Sequence, residues 1–201
     1  MKIRKIMKKL MLYGGLALLV SGCIPSIDPF YTAADLIFAP ELVGEWQAKD
    51  DSDQPAQWQF ERLDDKGYKL TVTEEKTKKG EFTAHLFKLG PEQFLDIVPS
   101  KCEYASTQAD LIGIAMFPGH LLLRIKQIGP ELRMASCDYD WLKKYLDENP
   151  KSLAHHAQAD GLLLTANTAK LQRFVLAHLG PGQLFKEDGV LVRADGKRGA
   201  R

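Results

Sequence analysis

Gln57-Trp58-Gln59-Phe60-Glu61-Arg62-Leu63, then Asp64-Asp65-Lys66-Gly67, then Tyr68-Lys69-Leu70-Thr71-Val72-Thr73, is the stretch that decides the fold. Trp58 and Phe60 fall on one side of the first run, with Gln57, Gln59 and Glu61 on the other. Tyr68, Leu70 and Val72 oppose Lys69, Thr71 and Thr73 in the second. Side chains that alternate with a period of two belong to half-buried strands. The short polar loop between the runs ends in a glycine suited to a positive φ, so the two strands form an antiparallel hairpin.

Moving outward, the same pattern continues. Lys76-Thr77-Lys78-Lys79-Gly80 reads as a charged loop, Glu81 to Leu89 as a third strand, and Gly90-Pro91-Glu92 leads to a fourth at Gln93 to Val98. Leu121, Leu123 and Ile125 alternate with Leu122, Arg124 and Lys126 before Gly129-Pro130-Glu131 turns into Leu132 to Ser136. Leu162 to Thr165 reads as one more strand, and Val190-Leu191-Val192 as a short edge strand. Short strands with regular turn signals predict an antiparallel sandwich or barrel, and the lack of strand-helix-strand alternation disfavours a parallel sheet.

Two helices interrupt the strands. Asp138 or Asp140 can cap the first, which carries Trp141, Leu142, Tyr145 and Leu146 and stops near Asn149-Pro150. Asn167 or Thr168 starts the second, where Leu171, Phe174, Val175, His178 and Leu179 form an apolar stripe that ends at Gly180-Pro181-Gly182.

Toward the N-terminus, Lys2, Arg4, Lys5, Lys8 and Lys9 precede an apolar run from Leu10 to Val20. That run is shorter than the roughly 20 residues a spanning helix needs, and a basic start with a short apolar core marks a secretory signal. Val20-Ser21-Gly22-Cys23 resembles the lipobox of bacterial lipoproteins. The resemblance implies cleavage before Cys23, a diacylglyceryl thioether on its sulfur and an acylated new N-terminus. It also implies a cell-envelope address, which Ile24 after the cysteine directs to the periplasmic face of the outer membrane in a Gram-negative host. The ordinary alternatives are a plain secretory signal or an uncleaved anchor. The expected division is residues 1–22 as signal peptide, 23–41 as lipid-anchored tether, 42–194 as a single barrel-like domain and 195–201 as a disordered tail.

Removal of residues 1–22 from the 201 leaves 179, enough for one well-buried domain. The five leader cations leave 22 of the 27 Lys and Arg against 26 Asp and Glu, a balance of −4. A nucleic-acid partner is therefore not expected, since phosphate binding needs a basic face. Cys102 and Cys137 remain as an even pair in an oxidising envelope, either bridged or separately buried. A bridge would close a loop of about 36 residues, stabilising by roughly 3–4 kcal/mol on the chain-entropy model.

Gly44-Glu45-Trp46 resembles the Gly-x-Trp signature of lipocalins and the wider calycin group. In that family the tryptophan packs across the closed end of an eight-stranded barrel whose open end admits an apolar ligand. The strand count up to Thr165 is close to eight, and a helix after the last main strand fits the family plan. The helix near residues 139 to 147, between late strands, departs from it. The expected fold class is thus mainly β, an antiparallel lipocalin-like barrel with two packed α-helices in the C-terminal half.

The inward-facing Trp58, Phe60, Tyr68 and Leu70 are the candidate ligand-lining residues. Leu111, Ile114 and Met116, from the long connection between Pro99 and Gly119, join them. That connection could cover the mouth as a binding loop or plug a filled core. No metal or cofactor is expected, because His85, His120, His155, His156 and His178 show no ligand spacing. No Gly-x-Ser-x-Gly elbow or phosphate-binding glycine loop appears, and no enzymatic activity is expected. Two non-catalytic readings follow. The chain either binds a small apolar molecule in the barrel, or docks as an accessory lipoprotein on a larger envelope assembly through a face such as helix 139–147, its protein partner unknown.

Overall fold

The computed structural model describes residues 24–49, 55–74, 78–101, 118–158, 161–186 and 189–194. A 3-10 turn at Pro40–Leu42 precedes seven strands: β1 (Gly44–Ala48), β2 (Gln57–Arg62), β3 (Gly67–Glu74), β4 (Lys78–Leu89), β5 (Glu92–Lys101), β6 (Leu121–Ile128) and β7 (Glu131–Ser136). Then come α1 (Tyr139–Glu148), β8 (His155–Gln158), β9 (Gly161–Leu164), α2 (Thr168–Ala177) and β10 (Gly189–Arg193). The barrel is closed and antiparallel, in the order β1-β10-β7-β6-β5-β4-β3-β2, and so matches the lipocalin-like expectation.

The closing stave is β10, which pairs with β1 through Trp46↔Arg193 and with β7 through Leu191↔Leu132. Val190 to Val192, expected at an edge, therefore removes the edge altogether. The Leu162 strand, expected in the barrel, instead pairs with β8 in a separate two-stranded sheet. Both helices thus precede the last stave rather than follow it. This ordering departs further from the family plan than the sequence suggested.

Other local expectations shift for readable reasons. Lys78-Lys79-Gly80, read as loop, already pairs with β3. β5 continues through Pro99 to Lys101, and Pro99 sits opposite Phe82 where the β4–β5 register shifts, a place that tolerates the missing N–H. Gly67 is not among the described glycines with positive φ, which are Gly44, Gly90 and Gly182. What its hairpin needs is closeness, because Asp64 Oδ1 accepts from Lys66 N at 2.8 Å and Gly67 N at 2.6 Å. Those backbone donors hold the Asp64 carboxyl below its ordinary range.

Alternation along each stave sorts the core into two layers. Inside the barrel stand Trp46, Trp58, Phe60, Tyr68, Leu70, Leu86, Leu95, Leu132, Met134 and Leu191 with their neighbours. On the outer wall, Phe87, Phe94, Leu122 and Ala135 pack beneath α1 and α2 through Leu142, Leu146, Leu171 and Phe174. Asp138 accepts from Trp141 N at 3.0 Å and Asn167 from Lys170 N at 3.1 Å, satisfying helix-end donors that would otherwise be orphaned.

Residues 24–32, read as a tether, are built into the domain. Ile24, Ser26 and Phe30 are buried, and Ser26 bridges to both His120 and Leu164. The segment then crosses the outer wall by way of Phe30 N to Asp96 Oδ2 and a Leu36↔Phe87 bridge, before turning under the barrel.

Candidate functional site

The two ends of the barrel differ. At one end gather the β2–β3, β4–β5 and β6–β7 turns together with the 3-10 turn. Trp46 fills this end, donating from Nε1 to Leu42 O at 2.9 Å. The Arg193 guanidinium lies 4.0 Å from the Trp46 ring centre and donates to Val43 O at 2.8 Å and to Glu41 O. Gly44, at φ 128°, leaves the room this guanidinium occupies. The glycine of Gly-x-Trp therefore has a local cause, whereas Arg193 carried no signal in the sequence because its role depends on barrel closure.

The four described candidate residues all face the interior, at different depths. Phe60, Tyr68 and Leu70 are at most 1% exposed. Tyr68 is occupied by the closed end: its hydroxyl accepts from Ala39 N at 2.7 Å and donates to Ala39 O at 3.2 Å, and Phe38 stacks on its ring. Burial pushes its pKa up, keeping it a neutral hydroxyl. It is a structural tie rather than a ligand contact. Trp58, the cross-strand partner of Trp46, is 8% exposed.

The other end is the mouth, where β1, β3 and β5 end and β2, β4 and β6 begin. Inward-facing Val72, Phe82 and Leu121 are only partly buried there. The Phe82 ring lies over Gly80, where a methyl group would meet it at 2.8 Å, so the glycine makes room for an aromatic at the rim. Between the ends Trp46, Leu86, Leu95, Met134 and Leu191 are fully buried, and partly buried apolar side chains occur at both ends, with Phe38, Val43 and Ile128 at the closed one. Sequence reasoning missed Phe82, whose flanking Glu81 and Thr83 do alternate with it.

Leu111, Ile114 and Met116 lie outside the described residues, as do Cys23 and Cys102. Cys137 is buried on the outer wall, its thiol sulfur 3.8 Å from Leu122 O. A cavity of about 10 Å³ beside it, lined by Ile24, Phe30, Leu122 and Leu142 among others, has room for about one water molecule. An open polar groove of about 620 Å³ runs along Glu92, Arg124 and Gln127 at the closed end, where Arg124 is tied to Glu92 at 2.8 Å and to Leu179 O at 3.0 Å.

A buried polar cluster underlies the N-terminal segment. Asp96, fully buried, accepts from Phe30 N at 3.0 Å and contacts His120 Nδ1 at 2.7 Å. Tyr31 OH lies 3.0 Å from His85 Nδ1. Burial, with the charges of Asp96 and Asp64, pushes the Tyr31 pKa up to about 12, so its hydroxyl stays protonated, and the His85 tautomer sets which of the two donates. Burial also lowers the His85 pKa. These groups fasten one segment to the wall, and the nearby Ser26 hydroxyl is spent on Asp28 O at 2.5 Å. Among the described residues no group of three or more His, Cys, Asp and Glu is arranged to hold a metal ion.

Helix α1, considered as a docking face, turns its aromatic side inward. Trp141 and Tyr145 stack with centroids 5.1 Å apart and both pack on His178, whose Nδ1 contacts Phe174 O at 2.8 Å. The exposed side keeps Asp140, Lys143, Lys144, Asp147 and Glu148, an ordinary solvated surface.

No family model, curated protein or solved structure matches the chain. What it is similar to therefore rests on the fold alone, an eight-stranded calycin-like barrel.

Proposed function

We propose that this chain is a non-catalytic envelope lipoprotein of the lipocalin-like class, anchored through Cys23, that takes a small apolar molecule at the mouth of its barrel. The observation that carries the ligand part is that Val72, Phe82 and Leu121, which pack on the barrel core from the mouth end, are only partly buried there. Ligand sites are concave and mainly apolar, and a filled floor limits this one to a shallow occupant. The lipobox-like Val20-Ser21-Gly22-Cys23 supports the anchor, and in a Gram-negative host Ile24 supports the outer membrane. Among the described residues no helix is long and apolar enough to cross a membrane.

Native mass spectrometry on gently extracted protein tests the ligand. A recurring small apolar adduct that Trp58→Ala weakens is the expected result, and repeated absence of any adduct counts against it. The filled floor also favours a second reading, an accessory lipoprotein docking on a larger envelope assembly through a surface other than the aromatic side of α1. Cross-linking in intact cells that captures one defined envelope protein, with no adduct, would select that reading.

A further inference from the structure

We infer that the mouth of the barrel is the membrane-facing surface of this protein, its rim resting on the phospholipid bilayer while the Trp46 end points away. The inference rests on the reading that Cys23 carries the lipid anchor.

The described chain starts at Ile24. Ile24 is 3% exposed, and the residues after it are fixed on two sides. Ser26 N donates to His120 O at 2.9 Å and His120 N to Ser26 O at 3.0 Å, while Ile27 N donates to Leu164 O and Leu164 N to Pro25 O, each at 2.9 Å. Pro25 also sits tightly against Gly119, where an added methyl group would have no room. One peptide bond separates Ile24 from Cys23 in the chain. An anchor there has no slack, so the surface around residue 24 faces the lipid.

Which surface that is follows from the strand order. His120 immediately precedes β6, at the end where β1, β3 and β5 stop and β2, β4 and β6 start. From Ser26 the segment runs down the outer wall past Asp96 and Phe87 and reaches the opposite end at Ala39, held by Tyr68. The anchor thus leaves at the mouth, a barrel length from Trp46 and Arg193. A chain that entered the barrel directly from residue 43 would have put the anchor at the closed end and turned the mouth to water.

The test uses the full chain, processed in cells, purified in detergent and reconstituted into phosphatidylethanolamine and phosphatidylglycerol vesicles containing headgroup nitroxide lipids. A fluorescent amino acid is placed either at Gln57, exposed at the mouth, or at Asp65, exposed at the closed end. Quenching at Gln57 at least threefold that at Asp65 is expected. Equal quenching, or more at Asp65, overturns the orientation. The mass of the Cys23 peptide from the same sample separates the two readings: an acylated Cys23 with the wrong quenching pattern sinks the orientation alone, and an unmodified Cys23 sinks the anchor and the orientation together.

Discussion

Arg193, in the last stave, lies with its guanidinium 4.0 Å from the centre of the Trp46 ring in the first, and the same group donates to Val43 O and Glu41 O. One side chain thereby joins the two ends of the domain's chain and caps the barrel floor. Arg193→Ala removes a cation–π contact and two carbonyl hydrogen bonds, so we expect a loss of about 2–3 kcal/mol in urea unfolding. Arg193→Lys should recover only part of it, because an ammonium cannot stack flat while donating to two carbonyls.

Gly44 holds φ at 128° directly beneath that guanidinium. Gly44→Ala should cost about 1–3 kcal/mol for the left-handed backbone. It should cost less in an Arg193→Ala background, where the added methyl group meets nothing. A double-mutant cycle in urea reads the difference, and strict additivity would mean the two residues do not share that space.

Asp96 is the buried anchor of the N-terminal segment. Asp96→Ala leaves Phe30 N without its acceptor and should destabilise by about 1–3 kcal/mol. Hydrogen exchange should rise first in residues 24–36. Asp96→Asn, which keeps an acceptor oxygen, should be milder.

The same cluster sets a pH dependence. Burial lowers the folded-state pKa of His85 below its ordinary 6.5, against the opposing pull of Asp96 and Asp64 and with a further lowering from His120. The unfolded chain then binds more protons at this site as pH drops below about 6.5, so stability falls until the folded pKa is passed. Thermal melts from pH 7.5 to 4.5 should show this fall, and His85→Gln should flatten it. An unchanged profile in the variant would assign the dependence to other groups.

What the sequence made legible is local. The Trp58 and Tyr68 hairpin and the alternation of Leu123 and Ile125 follow from spacing within a few residues and stand as read, and of the paired cap candidates the structure selects Asp138 over Asp140 and Asn167 over Thr168. Closure was not legible. Gly189–Arg193 is short, and only pairing with both β1 and β7, from far along the chain, distinguishes a closing stave from an edge. For the same reason the packed role of Ile24 and Ser26 was hidden, since Pro25 and Pro29 suggested a tether while the partners His120 and Leu164 lie far away. At the candidate site, alternation correctly turned Trp58, Phe60, Tyr68 and Leu70 inward. It could not show depth, which commits Tyr68 to the closed end.

The most direct test of the whole account is the mass of the mature N-terminus in protein extracted from the membranes of cells expressing the full chain. The expected result is a chain beginning at Cys23 with a diacylglyceryl group on its sulfur. A chain that keeps Met1, or one that begins at Cys23 with an unmodified thiol, would contradict it.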